Sequence, residues 1–115
     1  MKSIIQKDES MCYLCAVLED DYSTKKTEKH HIFGGPDRRM SEKYGLTVRL
    51  CPEHHRSGPK AVHRNQKTMQ FLHETGEEAY IRACTQKGMN GQQEIEDFRR
   101  SFRKNYVDEE ELPTP

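Results

Sequence analysis

The sequence has no tryptophan, and hydrophobic residues make up only 32% of its 115 positions, with aromatics at 8%. A chain this short with so little apolar material buries too little surface to be stable on burial alone, so something besides a core has to staple it together. It also lacks any apolar run near the roughly 18 residues needed to cross a bilayer. Residues 1–10 contain no long apolar h-region of the kind that marks a secretory signal. The expectation is a cytoplasmic protein with no membrane partner. An excess of one charge is missing as well, since nineteen Lys and Arg are matched by nineteen Asp and Glu. That balance argues against a chain that is basic throughout.

The charges that are present are unevenly spread. Residues 24–67 carry eleven Lys and Arg against four Asp and Glu, whereas residues 1–23 carry two against five and residues 68–115 carry six against ten. Screening confines the reach of an exposed charge to about 10 Å. The central block can therefore attract a polyanion although the whole chain is neutral. Five of the six histidines, at 30, 31, 54, 55 and 63, fall in the same block.

The four cysteines supply the staple. Cys12-Tyr-Leu-Cys15 is a C-x2-C knuckle, and Cys51-Pro-Glu-His54 repeats its two-residue spacing. Two such turns, each presenting two ligands to one side of an ion, meet the tetrahedral requirement of zinc. Disulfides are the less expected use of these thiols in a reducing cytosol. Structural zinc at Cys12, Cys15, Cys51 and His54 is the expectation, with His55 as the alternative fourth ligand. Zinc binding adds on the order of 10 kcal/mol to the folding of small modules, which answers the shortage of core. Cys84 lies in a helical stretch and is expected to be a small buried apolar residue.

These anchors organise the rest. Residues 1–11 read as an irregular lead-in, and residues 12–33 as the first knuckle, a polar turn and an extended run toward His30-His31-Ile32-Phe33. Gly34-Gly35-Pro36-Asp37 signals a turn, and the alternation over 44–51 predicts a short strand feeding the second knuckle. Met69, Leu72, Ala79, Tyr80 and Ala83 predict one helix face, which Gly76 weakens and the Gly88–Gly91 stretch ends. Ile95, Phe98, Phe102 and Tyr106 mark a second amphipathic helix. The proline-ended run 108–115 is acidic and expected to be disordered.

Taken together, Cys12/Cys15, Lys29-His30-His31-Ile32, Gly34-Gly35 and Leu50-Cys51-Pro-Glu-His54-His55 followed by His63 resemble the HNH, or ββα-metal, endonuclease family of zinc-knuckle type. The likeness covers roughly residues 12–65. It extends to small phage-encoded HNH and recombination-associated nuclease proteins through Leu50-Cys51, His54-His55 and Val62-His63. What the resemblance implies is an α+β fold, a small zinc-stapled ββα-metal module at 12–65 followed by one or two C-terminal helices in an extension at 66–107. It implies a metal-dependent DNA endonuclease or nickase that leaves a 5′-phosphate and a 3′-hydroxyl, in phage-associated DNA processing or recombination. Within the family pattern the general base falls on His31, and the catalytic-metal ligands on His30, His55 and His63. The metal implied is Mg²⁺ or Mn²⁺, although an all-imidazole site suits softer ions such as Mn²⁺, Ni²⁺ or Zn²⁺. Arg38, Arg39 and Lys43, in an expected basic loop between the two halves of the module, are candidates for DNA phosphate contacts. The family's middle Asn is absent; Tyr44-Gly45-Leu46 stand in its place, and Tyr44 could supply a substitute hydrogen bond.

A second function class is compatible with the same residues. A non-catalytic zinc-binding adaptor for DNA, or for a phage or host replication or recombination protein, would use the zinc site and basic block without cleavage. A weaker idea makes Phe98 and Phe102 an exposed interaction patch rather than the cover of the zinc module's back.

Overall fold

The computed structural model describes residues 2–86 and 91–102, with the side chains of 91–95 and 101 left aside. Residues 88–90, Tyr106 and the acidic run 108–115 lie outside the described residues, as does the side chain of Ile95. In chain order the elements are α1 (Tyr13–Glu19), β1 (Glu28–His31), a 3-10 turn (Gly35–Asp37), α2 (Arg38–Tyr44), β2 (Thr47–Leu50), a π-helical turn (Glu53–Ser57), α3 (Gln66–Gln86) and α4 (Gly91–Phe102). The fold is mixed α and β, built around one two-stranded antiparallel sheet. Among the described residues no helix is long and apolar enough to cross a membrane.

The first knuckle is the start of a helix. Cys12 caps α1, and its Sγ accepts the backbone N–H of Cys15 at 3.4 Å, so the C-x2-C spacing puts both sulfurs at one helix end. The expected strand at 44–51 narrows to Thr47–Leu50, because residues 38–44 form α2 rather than a loop. Gly45 ends α2 at φ 72°. This left-handed position favours glycine, and a Cβ there would also strike the Lys2 carbonyl of the passing N-terminal segment. That segment is irregular, as expected, but it is fastened. Ile4 donates its N–H to Gly45 O at 2.9 Å, and Arg49 donates its N–H to Gln6 Oε1 at 2.7 Å, so the lead-in straps the outer side of β2.

The helical extension shares its core with the half that carries the cysteine cluster. Ile32, Phe33, Leu46, Val48, Leu50, Leu72, Ile81, Phe98 and Phe102 are buried in a single cluster. Phe33 is its hinge, with ring centroids 4.6 Å from Phe102 and 5.5 Å from Phe98. Phe98 and Phe102 therefore cover the module's back and form no exposed patch. Gly76 has a packing reason to be there: a Cβ would come within 2.7 Å of Ile32 Cγ2 and 2.9 Å of Phe33 Cε2. Helix α3 runs unbroken through it because glycine lets the helix backbone lie directly on the end of β1. Cys84 is partly buried and packs against this core.

Candidate metal centres and the basic pocket

Both centres hang on the π-helical turn. Gly58 N–H closes it onto Glu53 O at 2.8 Å, and His55 N–H bonds Cys51 O at 2.8 Å. The turn sends its two consecutive histidines to different clusters, and both are buried. His54 Nδ1 lies 3.3 Å from Cys15 Sγ, 3.4 Å from Cys51 Sγ and 3.7 Å from Cys12 Sγ, and Cys15 Sγ lies 3.9 Å from Cys51 Sγ. Zinc bonds of about 2.3 Å to sulfur and 2.0 Å to nitrogen give tetrahedral edges of about 3.5–3.8 Å. The four donors thus have the spacing to hold a metal such as zinc, and they settle the choice of fourth donor on His54.

The surroundings fit that ion. Burial pushes the Cys15 thiol up to about 12, with the Lys25 ammonium, 3.0 Å away, pulling the other way. Three buried sulfurs packed this closely favour a shared cation that takes them as thiolates. Lys25 then offsets the extra negative charge of a three-thiolate site. Glu19 Oε2 holds the other ring nitrogen of His54 at 3.1 Å, the outer-sphere carboxylate that commonly orients a ligating imidazole.

Strand alternation builds the second centre. Successive side chains on β1 point to opposite faces. On one face Glu28 accepts from His55 Nδ1 at 2.7 Å, and His30 packs edge-on against His55 and His63 with centroids 5.3 Å from each. On the other face Lys29 and His31 both reach Glu42 of α2, at 3.1 and 2.9 Å from its Oε1. His63 is delivered by the turn before α3, whose backbone is pinned by Val62 N–H to His54 O at 2.8 Å. The ligand nitrogens of His30, His55 and His63 lie within 4.8 Å of one another.

The chemistry of this trio fits a divalent cation. With Nδ1–H of His55 committed to Glu28, its Nε2 carries a lone pair, and that atom lies 3.1 Å from His63 Nε2. Metal–nitrogen bonds of about 2.0–2.1 Å require N···N edges of this order. His30 Nε2 is buried without a hydrogen-bond partner, which is costly unless something accepts its lone pair. Burial, then the fields of His55 and His63, hold the His30 ring neutral down to about 3, and burial also lowers His63. Neutral imidazoles are what a metal needs.

A pocket of about 510 Å³ opens over the trio. Lys29, Arg38 and Arg56 bring positive charge to its lining, and His31 and His73 also line it. His31 is thus not gathered into the imidazole cluster; it stands at the pocket held by Glu42. Arg38 also lines an adjoining hollow with Arg39, Glu42, Lys43 and His31, so the three basic residues singled out in the sequence are neighbours on α2. Tyr44 does not line the pocket. Its ring packs 5.2 Å from that of Tyr80 in the aromatic core.

Several neighbours of the two centres were not singled out in the sequence: Glu19, Lys25, Glu28, Glu42 and Arg56. Only Glu28 had a usable signal, two residues before His30 on a strand and so on the same face. No family model, curated protein or solved structure matches this chain.

Proposed function

We propose that the protein is an HNH-type, metal-dependent phosphodiester hydrolase acting on DNA, with β1, β2 and α3 as the ββα-metal frame. The convergence of His30, His55 and His63 beneath a pocket carrying Lys29, Arg38 and Arg56 supports this reading most strongly. Zinc held by Cys12, Cys15, Cys51 and His54 would be structural, tying α1 to the turn that carries both His54 and His55. A divalent cation held by the three imidazoles would supply Lewis-acid stabilisation of the charge that builds on the phosphate. Likeness to the family suggests Mg²⁺ or Mn²⁺, and the donor set favours Mn²⁺, Ni²⁺ or Zn²⁺.

The chain's own groups do the rest. His31 Nε2 bonds Glu42 Oε1 at 2.9 Å, so in the neutral ring Nδ1 is left to take a proton from the attacking water. Glu42 stabilises the positive charge the ring then gains, as a carboxylate does for a catalytic histidine elsewhere. Arg38, Arg56 and Lys29 hold phosphate oxygens, and Arg39 and Lys43 extend the positive track along α2. These contacts position a strand without reading its sequence.

The test is nicking of supercoiled plasmid by zinc-loaded protein in Mg²⁺, Mn²⁺ or Ni²⁺. Nicking is expected, with His31→Ala reducing it by about 100-fold or more, the usual worth of a general base. Undiminished cleavage by His31→Ala would put the base elsewhere. Absence of cleavage with every ion, from protein that retains its zinc and binds DNA, would favour the adaptor instead.

A further inference from the structure

The basic residues of α2 are short of partners. Arg38, Arg39 and Lys43 stand exposed along the helix, and among the described residues neither arginine has a carboxylate to pair with. The carboxylate beside them, Glu42, is held by Lys29 and His31. Arg38 lines both the pocket over the imidazoles and the adjoining hollow, and Arg39 and Lys43 line the hollow. The chain carries its own match for this surface, because residues 108–111 are one Asp and three Glu in an unbroken run. Guanidinium groups take carboxylate and phosphate in the same bidentate geometry. A run of carboxylates and a DNA strand would therefore compete for one surface.

The direction of α4 brings the run within reach. The helix returns along α3: Phe98 meets Tyr80 with centroids 5.5 Å apart, and Phe102, one turn on, packs at 4.6 Å against Phe33, the ring that lies over Gly76. A further ring-to-ring step of 5.2 Å leads from Phe33 to His73 in the pocket lining. On its other side Phe102 lies 6.3 Å from the ring of Tyr44, which ends α2 next to Lys43. Five residues separate Phe102 from Asp108, and an extended chain advances about 3.3–3.6 Å per residue. The run thus has a reach of about 20 Å from Phe102, which takes in both the pocket and α2. Resting on the reading of the pocket as the DNA site, we propose that residues 108–111 dock in cis on Arg38, Arg39 and Lys43 as an autoinhibitory substitute for a DNA strand. A short tether gives an effective concentration of about 1 mM. Even a contact of about 0.1 mM, the weak limit of non-specific polyanion binding, then lowers the apparent affinity for DNA about 10-fold.

The experiment compares the zinc-loaded full chain with a variant carrying Asp108→Asn, Glu109→Gln, Glu110→Gln and Glu111→Gln, without further divalent cations so that no strand is cut. Anisotropy of fluorescent duplex DNA reads affinity. Carbodiimide cross-linking of the DNA-free wild type, mapped by mass spectrometry, reads contact between lysines and carboxylates. The variant is expected to bind about 10-fold tighter than wild type at about 50 mM salt and within about twofold at about 500 mM, where screening is short. Wild-type monomer is expected to give links from Lys43 or Lys29 to residues 108–111. In an Arg38→Gln, Arg39→Gln background the same neutralisation should gain less than about threefold, because the docking surface is gone. Equal, measurable affinities at low salt, or a monomer without those links, would overturn the proposal. So would an undiminished gain in the arginine-free background, which would reduce the effect to long-range repulsion, or links found only between chains, which would put the run on a second copy. Failure of both proteins to bind DNA would overturn the hydrolase reading and the inhibition that rests on it, and the cross-links would then decide the docking by themselves.

Discussion

Replacing Gly76 with alanine tests whether α3 must lie on β1 without an intervening methyl group. In an exposed helix the change is stabilising by about 1 kcal/mol, because alanine loses less backbone freedom on folding. Here the added Cβ meets Ile32 Cγ2 at 2.7 Å and Phe33 Cε2 at 2.9 Å, about 0.5–1 Å inside ordinary contact. Neither neighbour can step aside, since Ile32 is 1% and Phe33 2% exposed and Phe33 is wedged among three other rings. Overpacking of this kind costs about 1–3 kcal/mol, and two rigid clashes put this case in the upper part of that range. The expected net loss is about 1–2 kcal/mol, or a Tm lower by roughly 4–8 °C for a chain of this size. Urea and thermal unfolding in excess zinc measure it. The same shift should displace His30 and His31 and lower nicking more than stability alone accounts for. A variant more stable than wild type would refute the packing described for α3.

Other outcomes follow from the two centres. Chelation of zinc, or Cys51→Ser, should abolish cooperative unfolding, because a loss on the order of 10 kcal/mol matches or exceeds the whole stability of a small domain; a folded, zinc-free protein would contradict the structural role. Glu42→Gln should lower plasmid nicking by about 10-fold or more while leaving metal content unchanged, since Glu42 touches His31 and Lys29 and none of the imidazole trio. Acid should destabilise the protein lacking a second ion: His30 binds its proton near 3 when folded and near 6.5 when unfolded, so the unfolded chain gains protons first as pH falls through that window. Stability should drop by up to about 1.4 kcal/mol per pH unit, and His30→Gln in zinc-replete buffer should show a shallower decline by urea unfolding.

The sulfur-rich centre was legible because its donors are scarce residue types at metal-binding spacing, and nothing else in the sequence competes for that role. Which of His54 and His55 joins it was not legible, since adjacent positions differ only in direction and the π-helical turn decides that direction. Residues 38–44 looked like a basic loop because the inward side of α2 is anchored by Ser41, a polar residue. Its Oγ accepts from Phe33 N–H and donates to Phe33 O, both at 2.9 Å, so it is buried without being apolar. Gly76 reads as a helix breaker until the Ile32 and Phe33 side chains are seen against it. The carboxylates that orient His31, His54 and His55 come from α2, α1 and β1, and only the tertiary fold brings them there.

Counting the ions bound per chain after dialysis against zinc and then Ni²⁺ addresses the central claim most directly. The account predicts two per chain in wild type and one in a His30→Ala, His63→Ala double variant, with zinc retained in both. A single zinc in wild type, with no nickel taken up, would mean that the imidazole trio holds nothing.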